Sequence, residues 1–136
     1  MKSAYYAVFD TNVLVSSLLT KREDSPVVIL LNYVLDGRIV LLYNEAIIKE
    51  YEEVLRRGHF AFPDERIQGL IDLVKTGLHL EPTESGETFV DQDDKVFYEV
   101  ALSKEDGYVV TGNIKHFPKT PIVVTPAEMV QIMQAD

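Results

Sequence analysis

Apolar residues fall into short blocks separated by polar turns, and the rhythm inside the blocks alternates along the chain. Tyr5 to Phe9 is apolar without interruption, short, and rich in aromatic and β-branched types, the pattern of a buried strand. From Thr11 to Leu19 the spacing of Val13, Leu14, Ser17 and Leu18 is helical. After a charged loop (Lys21, Arg22, Glu23, Asp24), "SPVVILLNYVLDGR" reads as a helix with Ser25 as N-cap, Pro26 at its first position and Gly37 beyond its end. Ile39 to Tyr43 is a second buried strand. Asn44 is placed to cap a helix from Glu45 to about Arg57, stopped by Gly58.

Pro63 to about Thr76 reads as a further helix, with Ile67, Leu70, Ile71 and Val74 on one face. Leu78 to Leu80 is a short strand candidate. "ESGETFVDQDD" is a polar connection expected to be weakly structured. Lys95 to Lys104 is helical from the spacing of Val96, Phe97, Val100 and Ala101. "GYVVTGN" gives a third clear strand ending in Thr111-Gly112-Asn113, and "PIVVT" a fourth. In "TPAEMVQIMQ", Thr125 is the N-cap, Pro126 the first helical residue and Glu128 the partner in a capping box.

Strands that alternate with helices predict an α/β fold: a three-layer α/β/α sandwich around a central parallel sheet of four to five strands. The 136 residues suit one domain with a real core, and no repeat or interdomain linker is visible. In such sheets ligands bind outside the carboxyl ends of the strands. Asp10, with Asn12 two residues on, ends the first strand. Asp91, Asp93 and Asp94 lie just before and in the first turn of the Lys95 helix. Thr111 and Asn113 end the third strand. The architecture gathers all of these at one edge.

Carboxylates gathered at a few ångströms repel and raise one another's pKa unless a cation sits among them. Mg²⁺ and Mn²⁺, hard ions that take oxygen ligands, are the natural answer. A fourth acid comes from the Glu45 helix, whose buried stripe is Ile47, Ile48, Tyr51, Val54 and Leu55. At about 100° per residue, Glu50 and Glu52 flank that stripe on opposite sides and Glu53 faces outward, so spacing leaves Glu50 and Glu52 equal. Each residue also has an ordinary use. Asp10 suits a turn, Asp93 an N-cap and Asp94 the helix dipole. Asp91 suits a solvated loop, and Thr111-Gly112-Asn113 a plain turn. His59 and His116 are single loop histidines without a partner at ligand spacing, read as structural or rim residues. Lys21, Arg22, Arg56, Arg57, Lys115 and Lys119 are candidates for a phosphate path or simply solvated charges.

Composition changes the picture in three ways. Net charge is −9, which opposes a broad basic surface for nucleic acid, so binding a phosphate polyanion requires clustered carboxylates neutralised by divalent ions and a local basic rim. Cysteine is absent, which removes disulfides and thiolate metal sites and fits a reducing compartment. No apolar run approaches the roughly 20 residues that span a bilayer. Met1-Lys2-Ser3 leads straight into the first strand, so no signal peptide and a cytoplasmic location are expected.

Three segments, "VFDTNVLVSSLL", "EAIIKEYEEVLRR" and "DQDDKVFYEVALSKEDGYVVTGNIKHF", together make the chain similar to the PIN-domain family, nucleases found in many prokaryotic toxins of toxin–antitoxin pairs. The resemblance covers nearly all of residues 1–136 as a single PIN-like domain, with about Phe60 to Gly86 least diagnostic. It implies a metal-dependent endoribonuclease, using Mg²⁺ or Mn²⁺ to hydrolyse RNA phosphodiesters. It further implies an antitoxin protein partner and a homodimer. Matched by motif, Asp10 stands at the family's first metal-binding aspartate and Asn12 at the polar residue that steadies it. Glu50 opens "EYEEVL", which separates it from Glu52, and Asp94 heads the "DDKVF" helix with Asp91 as a supporting acid. Thr111 and Asn113 occupy the strand-end "TGN", placed to position water or ligands. Many members carry an aspartate where Asn113 stands, which puts a tight second metal in doubt.

Two other functions fit parts of the pattern. "FDTN" after a strand also suits a haloacid-dehalogenase-type phosphatase, but that chemistry needs a second aspartate where Asn12 stands. A non-catalytic binding module could use the acidic edge only to dock an antitoxin or another subunit, in keeping with the negative charge.

Overall fold

A computed structural model describes residues 3–136; the expected lead-in at Met1-Lys2 lies outside the described residues. The first strand, β1 (Tyr5–Phe9), forms the middle of a five-stranded sheet with β2 (Ile39–Tyr43), β3 (Leu78–His79), β4 (Gly107–Val110) and β5 (Val123–Val124). The order is β3-β2-β1-β4-β5, and every neighbouring pair is parallel. Parallel neighbours need crossovers, and helices supply them: α1 (Thr11–Leu19), α2 (Pro26–Leu35), α3 (Glu45–Leu55), α4 (Asp64–Lys75), α5 (Gln92–Leu102) and α6 (Pro126–Gln134). The result is the expected α/β/α sandwich. Among the described residues no helix is long and apolar enough to cross a membrane.

The unbroken apolar runs follow from burial on both faces of the sheet. Ala7, Val8 and Phe9 of β1, and Val109 and Val110 of β4, are fully buried. On one set of contacts α2 packs against α1, α6 and β2; on another, α5 packs against α3, β1, β2 and β4. Two glycines are required by geometry. Gly37 turns the chain from α2 into β2 at φ +78°, a conformation that only glycine adopts without strain. Gly77 passes so close to β2 that a Cβ there would lie 1.8 Å from the Leu41 carbonyl oxygen.

Local signals are realised as read at several ends. The Asn44 side chain accepts from the Ile47 amide at 2.9 Å, and Thr125 and Glu128 form the full capping box of α6. Others differ. The helix expected from Lys95 begins at Gln92, capped by Asp91, whose carboxylate accepts from the Asp93 amide at 2.9 Å. Asp93 is therefore in the first turn and not the cap. Helix α3 stops at Leu55, and β4 stops at Val110, leaving Thr111-Gly112-Asn113 beyond its end. The polar connection before α5 has no regular structure, yet it is pinned. Buried Glu99 of α5 accepts from the Ser85 amide at 2.7 Å and the Ser85 hydroxyl at 2.9 Å, and Phe89 is buried.

Candidate metal centre at the carboxyl edge of the sheet

In the β1–β4 register Phe9 faces Val110, so the next residues, Asp10 and Thr111, leave the sheet side by side. The Asp10 amide donates to the Val110 carbonyl at 2.9 Å. Asp10 occupies the N-cap position of α1 but makes no side-chain capping bond. Instead its Oδ2 accepts from the Thr111 hydroxyl at 2.7 Å, while the Asn113 amide donates to that same hydroxyl at 2.9 Å. A hydroxyl has one proton, and the Asn113 amide occupies an acceptor lone pair, so the proton points at Asp10. Thr111, with no exposed surface, thus acts as a fixed clamp on the carboxylate.

Two aromatic side chains bring the other acids to this point. Tyr51 of α3 is buried and its hydroxyl donates to the Phe9 carbonyl at the end of β1. Its ring stacks on Phe97 of α5 with centroids 6.0 Å apart. Glu50 precedes Tyr51, and Asp94 lies one turn before Phe97, so the pair beneath carries both acids to the rim above. Asp10, Glu50, Asp93, Asp94, Asn113 and His116 all line one cleft of about 310 Å³. Asn12 and Asp91 line it too, as does Arg57. Glu52 does not, so the tie that spacing left is decided by where Tyr51 anchors.

Burial first, and neighbouring charge second, raises the pKa of the carboxyl groups of this cleft. Burial raises the Asp10 carboxyl above its ordinary range, opposed by the Thr111 hydroxyl, the Thr11 amide and His116. Burial also lifts Asp94 to about 6, reinforced by the charges of Asp10 and Asp91 and opposed by His116, whose Nδ1 is 3.9 Å from Asp94 Oδ2. Glu50 rises to about 7, through burial first and then a hydrogen bond with Asp93 and that residue's charge. Two carboxyl groups can share such a bond only when one keeps its proton.

Among the described residues no group of three or more His, Cys, Asp or Glu side chains is disposed to hold a metal ion. Asp91 is turned to the Asp93 amide, where it caps α5. The chemistry of the donors nonetheless suits a hard divalent cation, since all are oxygens and Asp10 is buried and orientated on one oxygen only. His116, expected at most on the rim, stands close enough to Asp94 to lower its pKa. No spacing in the sequence signals that pair, because it forms between α5 and the loop after β4. Arg22 and Arg56 are paired elsewhere, with Asp24 and Asp64.

A family model described as the PIN domain matches residues 6–115. Comparison with curated proteins and with solved structures returned no match. The matched segment runs from β1 to the turn after β4 and contains every residue at this edge but His116; the chain belongs to the PIN-domain family, whose members carry nuclease-like chemistry in general.

Proposed function

We propose that this PIN-domain protein is a metal-dependent endoribonuclease of the toxin type, held in check by an antitoxin protein. One observation carries the reading: acids from three separate elements, Asp10 after β1, Glu50 on α3 and Asp94 on α5, line a single cleft at the carboxyl edge with their pKa values raised. A site rich in uncompensated carboxylates is unstable unless its ligand is a cation, and a cation is what brings an RNA phosphate to an acidic protein.

In this reading Asp10 and Asp94 hold Mg²⁺ or Mn²⁺, with Glu50 beside them and Asp91 in support. When bound, the ion supplies positive charge against the scissile phosphate and eases ionisation of the attacking water. Thr111 fixes the Asp10 carboxylate so that its second oxygen is presented at a constant angle. Asn113 and Asn12 offer amide groups that position water or a sugar hydroxyl. Glu50, which lines the same cleft, would accept the proton of the attacking water. Asn113 offers an amide oxygen but no charge, so a second ion would be held less tightly than the first and would come with the substrate. No covalent intermediate is needed.

The test is cleavage of a labelled single-stranded RNA by the purified protein with Mn²⁺ or Mg²⁺. Asp10→Asn and Asp94→Asn should each abolish cleavage while circular dichroism is unchanged; full activity in either variant would remove the assignment. A second reading, a non-catalytic module that docks a partner through its acidic edge, is favoured by the absence of a ready three-ligand group among the described residues. Calorimetric titration separates the two: heat of Mn²⁺ binding that disappears in Asp10→Asn favours the enzyme, and no binding at millimolar Mn²⁺ favours the module.

A further inference from the structure

Five carboxylates line the acidic cleft, Asp10, Glu50, Asp91, Asp93 and Asp94, and with them stands one arginine, Arg57. No other arginine and no lysine belongs to its lining. The chain has five arginines. Arg22 and Arg56 are paired with Asp24 and Asp64, and Arg38 lies over the Tyr33 ring at 4.6 Å from its centre. Arg57 is exposed, and among the described residues its guanidinium joins no ion pair and no hydrogen bond. A guanidinium recruited to neutralise the cleft would close on one of those acids, since its planar fork matches a carboxylate. Arg57 does not.

Its backbone, in contrast, is fixed. The Arg57 amide donates to the Val54 carbonyl at 3.2 Å, which continues the last turn of α3, and the Arg57 carbonyl accepts from the Phe60 amide at 3.1 Å. The turn that follows is braced too: the Ala61 amide donates to the Gly58 carbonyl at 3.2 Å, and the Phe60 and Phe62 rings stack with centroids 5.1 Å apart. Glu50, Val54 and Arg57, spaced by four and then three residues, share one face and all line the cleft. Two turns of helix, about 10 Å along the axis, separate Arg57 from Glu50.

We propose that Arg57 is a further catalytic residue, whose guanidinium holds the non-bridging oxygens of the scissile phosphate. The proposal rests on the nuclease reading of the cleft. As the water oxygen bonds to phosphorus and passes its proton to Glu50, the bond to the leaving ribose oxygen breaks and that oxygen takes a proton from solvent. Negative charge builds on the non-bridging oxygens meanwhile, and a fork of two parallel N–H donors opposes it where it forms. An arginine that stands off from the acids leaves their oxygens to a divalent ion and keeps its own donors for the substrate. Its charge also favours the approach of a phosphate to a cleft lined by carboxylates.

Two measurements on the full chain test this, each with Arg57→Ala and Arg57→Lys. The first is binding of a fluorescein-labelled single-stranded oligoribonucleotide, followed by anisotropy across a range of salt with Ca²⁺ as the divalent ion. Arg57→Ala should lower the log–log salt slope by about 0.7, the value of one phosphate contact, and Arg57→Lys, which keeps the charge, should preserve it. The second is the steady-state rate of cleavage in Mn²⁺. Arg57→Ala should lower kcat about 100-fold and raise KM far less, while Arg57→Lys should recover only part of the loss because the fork is gone. Arg66→Ala, the removal of an exposed arginine from the first turn of α4, should alter neither measurement. Thermal unfolding and the heat of Mn²⁺ binding should be undiminished in Arg57→Ala, since its side chain is exposed and unpaired.

An unaltered salt slope, or an unaltered kcat in a protein whose wild type cleaves, overturns the proposal and leaves the nuclease reading standing. A lower Tm or weaker Mn²⁺ binding in Arg57→Ala also overturns it, by showing that the arginine builds the cleft. If the slope falls as expected but the wild type cleaves no RNA, the phosphate contact stands and the nuclease reading alone fails.

Discussion

Replacing a carboxylate at the proposed metal centre should make the metal-free protein more stable. Asp94 titrates at about 6 instead of 3.8, so above pH 6 the fold carries a charge it disfavours. The sign follows from linkage: a raised carboxyl pKa contributes stability that is complete below pH 3.8 and is lost as pH rises through about 6. Two pKa units correspond to about 3 kcal/mol at most. Part of the carboxyl meets water, and solvent screening reduces this to roughly 1–2 kcal/mol. Asp94→Asn also forfeits an interaction with the α5 dipole worth about 0.3–1 kcal/mol. The net expectation is about 1 kcal/mol of added stability at pH 8 in EDTA, a rise in Tm of about 3–5 °C for a chain of this length. Scanning calorimetry from pH 4 to 8 gives the answer directly. The wild type should lose stability across that range and the variant should lose less. Mn²⁺ at a hundred times its Kd should then stabilise the wild type by about 2.7 kcal/mol and leave the variant nearly unmoved. A variant that is less stable than wild type at pH 8 in EDTA, or an identical pH profile for both, would refute the reasoning.

Three further changes probe what builds the site. Thr111→Val removes the donor to Asp10 and the acceptor for the Asn113 amide; a loss of about 1–3 kcal/mol in urea unfolding is expected, with cleavage at least tenfold slower. Glu99→Ala takes away the buried acceptor of both Ser85 bonds, so about 2–3 kcal/mol should be lost and amide exchange at Ser85 should accelerate; unchanged exchange would show that the connection is held by other contacts. Gly77→Ala forces a Cβ against the Leu41 carbonyl. It should cost about 3 kcal/mol, the upper part of the range for overpacked cores, visible as a large drop in Tm.

The parts of this structure legible in the sequence are those decided locally. The α6 capping box needs only Thr125 and Glu128 at the right spacing, and the apolar runs of β1, β2 and β4 need only burial on both faces. The start of α5 was less legible because Asp91, Asp93 and Asp94 are all good capping residues and no apolar residue lies between Val90 and Val96 to fix the phase. Glu50 and Glu52 flank one stripe symmetrically, and what separates them is the Tyr51 bond to Phe9 and the stack on Phe97, both long-range. The same holds for Glu99, a lone acid between Tyr98 and Val100 whose partner Ser85 lies in a segment without periodicity. The Glu84–Asp94 connection reads as loose because its anchor is elsewhere in the chain. His116 and Asp94 meet only once β4 and α5 are side by side.

The most direct measurement is anomalous diffraction from crystals soaked in Mn²⁺. A peak bounded by the carboxylates of Asp10 and Asp94, with Glu50 turned toward it, is the expected result. Well-diffracting crystals with no manganese at that edge, or with manganese only at surface carboxylates away from it, would contradict the claim that this cleft is built to hold a divalent ion.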